Sequence, residues 1–271
     1  MTTTRMLILL LSLAATGAVV AEPPSKGAGY VALGSSFAAG PGIETQLKSC
    51  SRSDRNYPHL VAAALELELT DVSCSGATTA NILDTPQGGA MPQLAAVGAD
   101  TALVTVTIGG NDVTYSASTI RCGNAKADDR CAAKLDQARI AALGRELPRR
   151  LAAVLDAIRG KAPNATIVMV TYPRVVPPPS ERCAAVGLTD ADADYFATLG
   201  QQLEDTMVGA AKGKGALLAD PYALAQGHGP CAADGDRWVN GATPAGSGAS
   251  FHPTANGHEE MARLVLAALK R

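Results

Sequence analysis

Short apolar runs alternate with helical patterns along most of the chain. Five runs have the length and composition of β-strands, and the clearest covers residues 102–108, which are β-branched and almost continuously apolar. Such a run is typical of a parallel strand that is buried on both faces. The five predicted strands cover residues 29–33, 70–74, 102–108, 165–171 and 216–219.

Apolar positions at helical spacing separate these strands. The predicted helices cover residues 58–68, 78–83, 132–159, 190–211 and 254–269, the third of them interrupted or kinked near Pro148. Residues 114–131 are polar and are predicted to form a surface excursion, and residues 226–249 a long loop. Strands that alternate with helices predict a single α/β domain with a mostly parallel sheet.

The N-terminus has the pattern of a secretory signal. Arg5 precedes an apolar run over residues 6–20, and Val19, Val20 and Ala21 form a small-residue ending. The run is shorter than the roughly 20 apolar residues that a membrane span needs. We expect cleavage after Ala21 and a mature domain over residues 22–271, with no stable membrane span after cleavage; an uncleaved anchor is the alternative.

Composition narrows the class of protein. The 271 residues are 47% hydrophobic and 18% charged, with a formal net charge of -2. These values are typical of an ordinary globular protein and argue against a disordered chain. Because no basic patch stands out, we expect no nucleic-acid partner.

Six cysteines lie in the expected mature region. An even set in an exported protein predicts three disulfides, with 15 possible connectivities. Pairing of neighbours along the chain is favoured, because each bond then closes one local excursion; zinc binding is disfavoured, because no close Cys or His pairs occur. The favoured pairs are Cys50–Cys74, Cys122–Cys131 and Cys183–Cys231.

Small and polar residues follow the first three predicted strands. Ser36 lies on a glycine-flanked turn after the first strand, Gly76 follows the second, and Asn111 follows the third. The carboxyl ends of parallel strands form one edge of the sheet, where ligands bind in such folds. A serine hydroxyl, backbone amides and a side-chain amide at one edge supply a nucleophile and oxyanion donors for acyl transfer.

Such a reaction also needs a base, and the chain has four histidines. His59 lies in a predicted helix, His228 in a glycine-rich loop, and His258 on the last helix, where we expect it to be exposed. His252 precedes that helix and is followed by Pro253, which restricts its backbone. His252 is therefore the favoured candidate among the four histidines.

Four segments together resemble the conserved blocks of the SGNH/GDSL hydrolases. Residues 34–40 (GSSFAAG) look like the first block, residues 74–78 (CSGAT) like the glycine block, residues 109–112 (GGND) like the Gly-x-Asn-Asp block, and Phe251-His252-Pro253 like the last block. The blocks occur in family order over most of the chain. The six cysteines and the Tyr-Pro-Arg of residues 172–174 also resemble the secreted bacterial lipase and esterase branch.

This resemblance implies a flavodoxin-like three-layer α/β/α sandwich that hydrolyses esters without a metal or an organic cofactor. It carries the role of nucleophile to Ser36 and the role of general base and then acid to His252. The oxyanion donors would be the Ser36 N–H, the Gly76 N–H and the side-chain amide of Asn111.

Two positions depart from the family pattern. The usual Asp before the nucleophile is Ser35, and the usual acid three residues before the histidine is Ala249. A carboxylate there fixes the imidazole tautomer, so another acceptor must do so. Our hypothesis is that the backbone carbonyl of Ala249 orients His252; the alternative is a carboxylate from Asp234 or Asp236.

The sequence thus predicts a secreted or extracytoplasmic lipase or esterase that acts as a monomer on a small-molecule or lipid ester. The alternatives are an O-acetyl esterase acting on a polysaccharide or peptidoglycan, and a catalytically weakened relative that binds a glycan or lipid. Phe37, Trp238 and Phe251 are candidates for lining an acyl pocket or simply for packing.

Overall fold

A computed structural model describes residues 23–47, 50–125 and 130–270. The expected signal segment, residues 1–21, lies outside the described residues. The described chain forms a five-stranded parallel sheet in the order β2-β1-β3-β4-β5. The strands are β1 (Gly29–Gly34), β2 (Glu68–Asp71), β3 (Thr101–Thr107), β4 (Thr166–Val170) and β5 (Leu217–Ala219).

Helices connect consecutive strands and cover both faces of the sheet. The α-helices are α1 (Ser36–Ala39), α2 (Tyr57–Leu65), α3 (Thr79–Leu83), α4 (Tyr115–Gly123), α5 (Gln137–Lys161), α6 (Asp190–Gly213) and α7 (Ala255–Ala268). Short 3-10 turns occur at Gln93–Ala96, Ala132–Lys134, Pro179–Glu181 and Ala184–Val186. The longer helices begin where side chains cap them: Asn56 caps α2, Thr189 caps α6 and Thr254 caps α7.

Two hydrophobic cores make the three layers. One core lies between the sheet and α2 and α7, where Tyr30 and Val168 of the sheet pack with Val265 of α7. The other lies between the opposite face and α3, α4, α5 and α6, and contains Val104 and Phe196. Because the central strands are covered on both faces, their side chains are almost all buried. The expected α/β/α sandwich is confirmed.

Local boundaries differ from the sequence prediction. The edge strand β2 begins at Glu68, earlier than expected. The prediction missed this start because its exposed polar residues lack a strand pattern. Beyond the end of β2, Val72 and Cys74 still donate to β1 carbonyls, at 3.0 Å each. Helix α5 begins at Gln137, after a separate 3-10 turn, and runs through Pro148 as one helix. The predicted interruption at Pro148 is therefore wrong, and the alternative, a kink at Pro148, stays a prediction.

A helix was also missed in the predicted excursion. Helix α4 is rich in Ser and Thr, which are weak helix formers, so tertiary contacts rather than propensity account for it. Its residue Cys122 is bonded to Cys131, the last residue of the predicted excursion. The three cysteine pairs at bonding distance are Cys50–Cys74, Cys122–Cys131 and Cys183–Cys231, the neighbour pairs favoured from the sequence.

The strand order creates the place for a site. The chain moves from β1 outward to β2 and then returns to the other side of β1 with β3. A crevice forms beyond the carboxyl ends of two strands where the winding direction reverses. Ser36 follows β1 and Asn111 follows β3, so both lie at this reversal.

Candidate active site

The serine turn is held by a close approach of two strands. Gly34, the last residue of β1, has a φ of 152°, and a Cβ there would lie 2.6 Å from the carbonyl oxygen of Thr107. Only glycine fits this position. The next residue, Ser35, donates its N–H to the same carbonyl at 3.0 Å, and Ser36 then opens α1.

Gln93 clamps the residue that leads into this turn. Its Oε1 accepts from the Gly34 N–H at 2.8 Å, and its Nε2 donates to the Gly34 carbonyl at 2.9 Å. The side chain is buried, so both bonds are protected from water. Sequence reasoning missed Gln93, because a single glutamine in a helical segment carries no functional signal.

The structure brings His252 to the serine although 216 residues separate them. The His252 Nε2 lies 2.8 Å from the Ser36 Oγ, and both residues are buried. The histidine stands on the turn before α7, which Thr254 caps through the N–H of Gly257. The predicted nucleophile and base are therefore within hydrogen-bond distance.

The second ring nitrogen contacts a different carbonyl from the one expected. The His252 Nδ1 lies 2.7 Å from the carbonyl oxygen of Ser250, whereas the Ala249 carbonyl accepts the backbone N–H of His252 at 3.2 Å. The turn thus uses the Ala249 carbonyl within the backbone, and the ring folds back onto Ser250. The hypothesis that Ala249 orients the histidine is wrong in residue, although the partner is a backbone carbonyl.

This contact also sets the tautomer. A carbonyl oxygen only accepts, so Nδ1 carries the hydrogen and Nε2 presents its lone pair to the Ser36 hydroxyl. Burial lowers the pKa of His252, and the Ser250 carbonyl partly opposes this. The imidazole is therefore neutral near pH 7, as a general base requires.

The alternative carboxylates lie elsewhere. Asp234 is exposed and forms an ion pair with Arg237 at 2.9 Å. Asp236 is also exposed, and its backbone carbonyl contacts the ring of His228 at 2.7 Å. The structure brings neither carboxylate to His252.

Two of the three expected oxyanion donors, Gly76 and Asn111, lie next to Ala77. The Asn111 Nδ2 donates to the Ala77 carbonyl at 2.9 Å, which uses one of its two hydrogens and fixes the direction of the other. Gly76 precedes Ala77 in a turn with a φ of 85°. Within the described part of the chain, no group accepts from the backbone N–H of Ser36 or Gly76.

The residue after Asn111 fastens this arrangement. Both oxygens of the buried Asp112 accept from the N–H of Thr79, at 3.3 and 3.0 Å, and Oδ1 also accepts from its hydroxyl. Arg150 of α5 lies 3.6 Å from the same carboxylate. Asp112 therefore ties the loop after β3 to the start of α3, which follows the Gly76 turn.

Tyr172 links the serine turn to the asparagine loop. Its hydroxyl accepts from the Gly110 N–H at 3.1 Å and lies 3.3 Å from the Ser35 Oγ. Its ring stacks on Phe37 at 4.2 Å, and Phe37 lies 4.9 Å from the His252 ring. The family-like Tyr-Pro-Arg motif was the only sequence signal for Tyr172.

The candidate pocket aromatics mostly pack. Phe37 and Phe251 are buried, and the Phe251 ring lies so close to Gly123 that a Cβ there would meet it at 2.4 Å. Trp238 is half-buried and stacks on His228 at 4.1 Å. Phe37 and Phe251 therefore pack next to His252, and Trp238 packs on His228.

The site is separate from the apolar groove between α5 and α6. This groove has a volume of about 590 Å³ and is lined by side chains such as Ile140, Leu199 and Tyr195, but by neither Ser36 nor His252. Residues 23–47, 50–125 and 130–270 contain no cluster of three or more His, Cys, Asp or Glu side chains able to hold a metal ion. In the same ranges, no helix combines the length and apolar character needed to cross a membrane.

Comparison with known proteins identifies the family to which the chain belongs. The family model for GDSL-like lipases and acylhydrolases matches residues 32–260. The chain is 32% identical to Lipase 2 of Streptomyces coelicolor over 287 aligned positions, which cover 99% of this chain and 96% of that lipase.

Two crystal structures are also similar. Phospholipase A1 from Streptomyces albidoflavus has a TM-score of 0.73 and 29% identity over 89% of this chain and 99% of the other. An extracellular lipase from Streptomyces rimosus has a TM-score of 0.73 and 31% identity over 89% of this chain and all of the other, 100%. The chain therefore belongs to the GDSL-like lipase/acylhydrolase family and is a carboxylic ester hydrolase.

Proposed function

We propose that the chain is a secreted lipase or esterase that cleaves carboxylic esters with a Ser36–His252 dyad. The observation that carries this proposal is the 2.8 Å contact between the Ser36 Oγ and the His252 Nε2, with Nδ1 held at 2.7 Å from the Ser250 carbonyl. Acyl transfer requires a nucleophile, a base and an acceptor that orients the base, joined by successive hydrogen bonds.

The reaction follows from these contacts. His252 takes the hydroxyl proton of Ser36 as Oγ attacks the ester carbonyl carbon, and the resulting imidazolium gives that proton to the leaving alcohol. A water molecule then attacks the acyl-serine, with His252 again as base, and Ser36 regains its proton as the carboxylic acid leaves.

The oxyanion of each tetrahedral intermediate would lie between three donors: the N–H groups of Ser36 and Gly76 and the second amide hydrogen of Asn111. Two features support this role. The two backbone N–H groups have no acceptor within the described ranges, and Ala77 fixes the Asn111 amide. Donors that are already oriented stabilise developing charge without reorganisation.

The Ser250 carbonyl acts in place of the family's carboxylate. A carbonyl dipole fixes the tautomer and ring orientation, but it stabilises an imidazolium less than a full negative charge does. We therefore expect orientation, rather than charge, to be the main contribution of this contact.

The relatives suggest lipid esters as substrates, because they are named lipases or phospholipase A1. Three disulfides support an oxidising, extracytoplasmic location. Both the substrate class and the location remain part of the proposal.

An active-serine phosphonate probe and p-nitrophenyl esters from acetate to palmitate test the proposal. Ser36→Ala should abolish labelling and lower kcat by several orders of magnitude. Asp234→Asn and Asp236→Asn are the matched controls and should keep the activity of the parent protein, because Ser250 already occupies Nδ1.

Labelling and turnover that survive Ser36→Ala would contradict the dyad, and so would a collapse of activity in either Asp variant. Absence of labelling and turnover in the parent protein would favour a binding protein. Activity confined to acetate and acetylated glycans would favour the O-acetyl esterase.

A further inference from the structure

A buried carboxyl group lies outside the proposed catalytic machinery, at the same edge of the sheet. Glu204 is on the inner face of α6 and is 6% exposed, and neither carboxyl oxygen has a hydrogen-bond partner of good geometry in the described part of the chain. A buried ionised carboxylate without donors is strongly unfavourable. This location requires Glu204 either to carry a proton or to lie beside a cation.

The groups that face Glu204 favour a proton. Asp220, which directly follows β5, and the exposed Asp205 of α6 both act on Glu204 as negative charges. Arg174 is a nearby cation, but it lies over the ring of Tyr222, 4.9 Å from the ring centre, and is not among the charges that act on Glu204. Burial first, and the Asp220 charge second, raise the pKa of Glu204 to about 8.

The hydrogen bonds distinguish the two carboxyl groups. Asp220 Oδ1 accepts from the Thr171 hydroxyl at 3.0 Å and from the Tyr222 N–H at 2.9 Å. Neither oxygen of the buried Glu204 accepts a hydrogen bond of good geometry in the described part of the chain. A buried carboxyl without such donors is favoured in its protonated form, so Glu204 carries a proton that Asp220 can accept.

This pair is connected to the candidate active site through the end of β4. Thr171 also donates its N–H to the Ala219 carbonyl at 3.0 Å, so it ties β4 to β5 immediately before Tyr172. Tyr172 in turn contacts Ser35 and Gly110 through its hydroxyl. A continuous set of contacts thus runs from Asp220, through Thr171 and Tyr172, to both sides of the oxyanion site.

We propose that the buried Glu204 keeps its proton and shares it with Asp220 in a hydrogen bond, and that this shared proton fixes the ends of β4 and β5 and so positions Tyr172 beneath the site. Loss of the proton leaves two carboxylates side by side in a buried place. They repel one another, Thr171 loses its fixed acceptor, and Tyr172 is no longer held. Glu204 and Asp220 are positioning residues in this scheme, which rests on the proposed ester hydrolysis only for its effect on activity.

The direction of the pH dependence follows from the raised pKa of Glu204. The folded protein keeps a proton that the unfolded chain releases, so the contribution of Glu204 to stability is complete below the ordinary carboxyl pKa of 4.5 and is lost as pH rises to about 8. Glu204→Gln retains a donor toward Asp220 but cannot ionise. Asp205→Asn removes the neighbouring, exposed carboxylate and is the matched control.

The experiment measures urea unfolding and kcat/KM from pH 5 to 9 for the parent protein and both variants. We expect Glu204→Gln to lose the one-proton decrease in stability and the alkaline limb of kcat/KM, and Asp205→Asn to keep both. Equal pH dependence of stability in the parent and Glu204→Gln would overturn the shared proton, and equal alkaline limbs would overturn the link to Tyr172.

Infrared spectroscopy of the unmutated protein provides a readout that needs neither a folded variant nor activity. A protonated carboxyl has a C=O band distinct from that of carboxylates, and we expect such a band at pH 7 that disappears through about pH 8. Its absence would overturn the proposal. A protein with this band but no ester turnover would refute the proposed function and leave the shared proton intact.

Discussion

At the scale of single residues, the site depends on two polar groups, the Asn111 amide and the Tyr172 hydroxyl, each of which can make two contacts. The Asn111 amide gives one hydrogen to the Ala77 carbonyl and leaves the other for the proposed oxyanion contact. The Tyr172 hydroxyl accepts from Gly110 and contacts Ser35. Each group both holds the backbone and faces the site. A substitution here therefore affects catalysis and stability together, and both must be measured to tell the two effects apart.

Asn111→Ala removes one oxyanion donor and one structural hydrogen bond. We expect kcat to fall by about 10²–10³ with little change in KM, because the donor acts mainly in the transition state. The lost bond to Ala77 should lower the free energy of unfolding by only about 1 kcal/mol. Steady-state kinetics and urea unfolding check both values; an unchanged kcat would remove Asn111 from the oxyanion site.

At the scale of elements, the loop that carries His252 depends on α4, a helix that was not predicted from the sequence. Phe251, directly before His252, has a φ of 54°, which is unusual for a residue with a side chain. Its ring packs against Gly123, the last residue of α4, so the helix end holds the strained backbone. The composition of α4 conceals it in the sequence, since its stability comes from these contacts.

Gly123→Ala should displace Phe251 and, with it, His252. The new Cβ would lie 2.4 Å from the Phe251 ring, so the ring or the helix end must move. We expect kcat to fall roughly 10- to 100-fold, because small displacements of a catalytic group are costly. Gly209→Ala in α6 is the control, since its Cβ meets nothing within 4 Å and should leave kcat unchanged. Equal kcat values for the two variants would contradict this role of α4.

At the scale of the whole molecule, a second buried histidine joins distant parts of the fold. His258 of α7 is fully buried, contrary to the sequence expectation, and its Nδ1 accepts from the N–H of Tyr57 at 3.0 Å, at the start of α2. Its Nε2 has no partner in the described ranges. Burial first, and His252 second, lower the pKa of His258 to about 3.

Acid unfolding tests the contribution of His258. Because the folded-state pKa is depressed, its stabilising contribution is complete above pH 6.5 and is lost as pH falls toward about 3. With about 1.4 kcal/mol per pH unit over the interval from 6.5 to about 3, this loss is on the order of 5 kcal/mol. Gln keeps an acceptor for Tyr57 but does not titrate, so His258→Gln should flatten the acid limb of stability in urea unfolding. His228→Gln, a change in a surface loop, should retain the parent slope, and a parent slope in His258→Gln would refute the assignment.

The sequence alone determined the architecture and the identity of the chemical groups. Apolar runs as regular as that of residues 102–108 specify buried parallel strands, and the small polar segments at their ends specify an edge where ligands bind. These local patterns predicted one α/β domain with a mostly parallel sheet and favoured the pairing of neighbouring cysteines. The resemblance of four short segments to a known family implied the sandwich and the proposed roles of Ser36 and His252.

Only the tertiary structure decided how the groups are held. The choice of Ser250 over Ala249 depends on which carbonyl a turn leaves free, and the burial of His258 depends on packing between α7 and α2. Gln93 and Glu204 are single residues without a motif, and they acquire roles only through neighbours far away in sequence. Local patterns encode periodicity and backbone preference, whereas hydrogen-bond partners and desolvation arise from contacts that form when the whole chain folds.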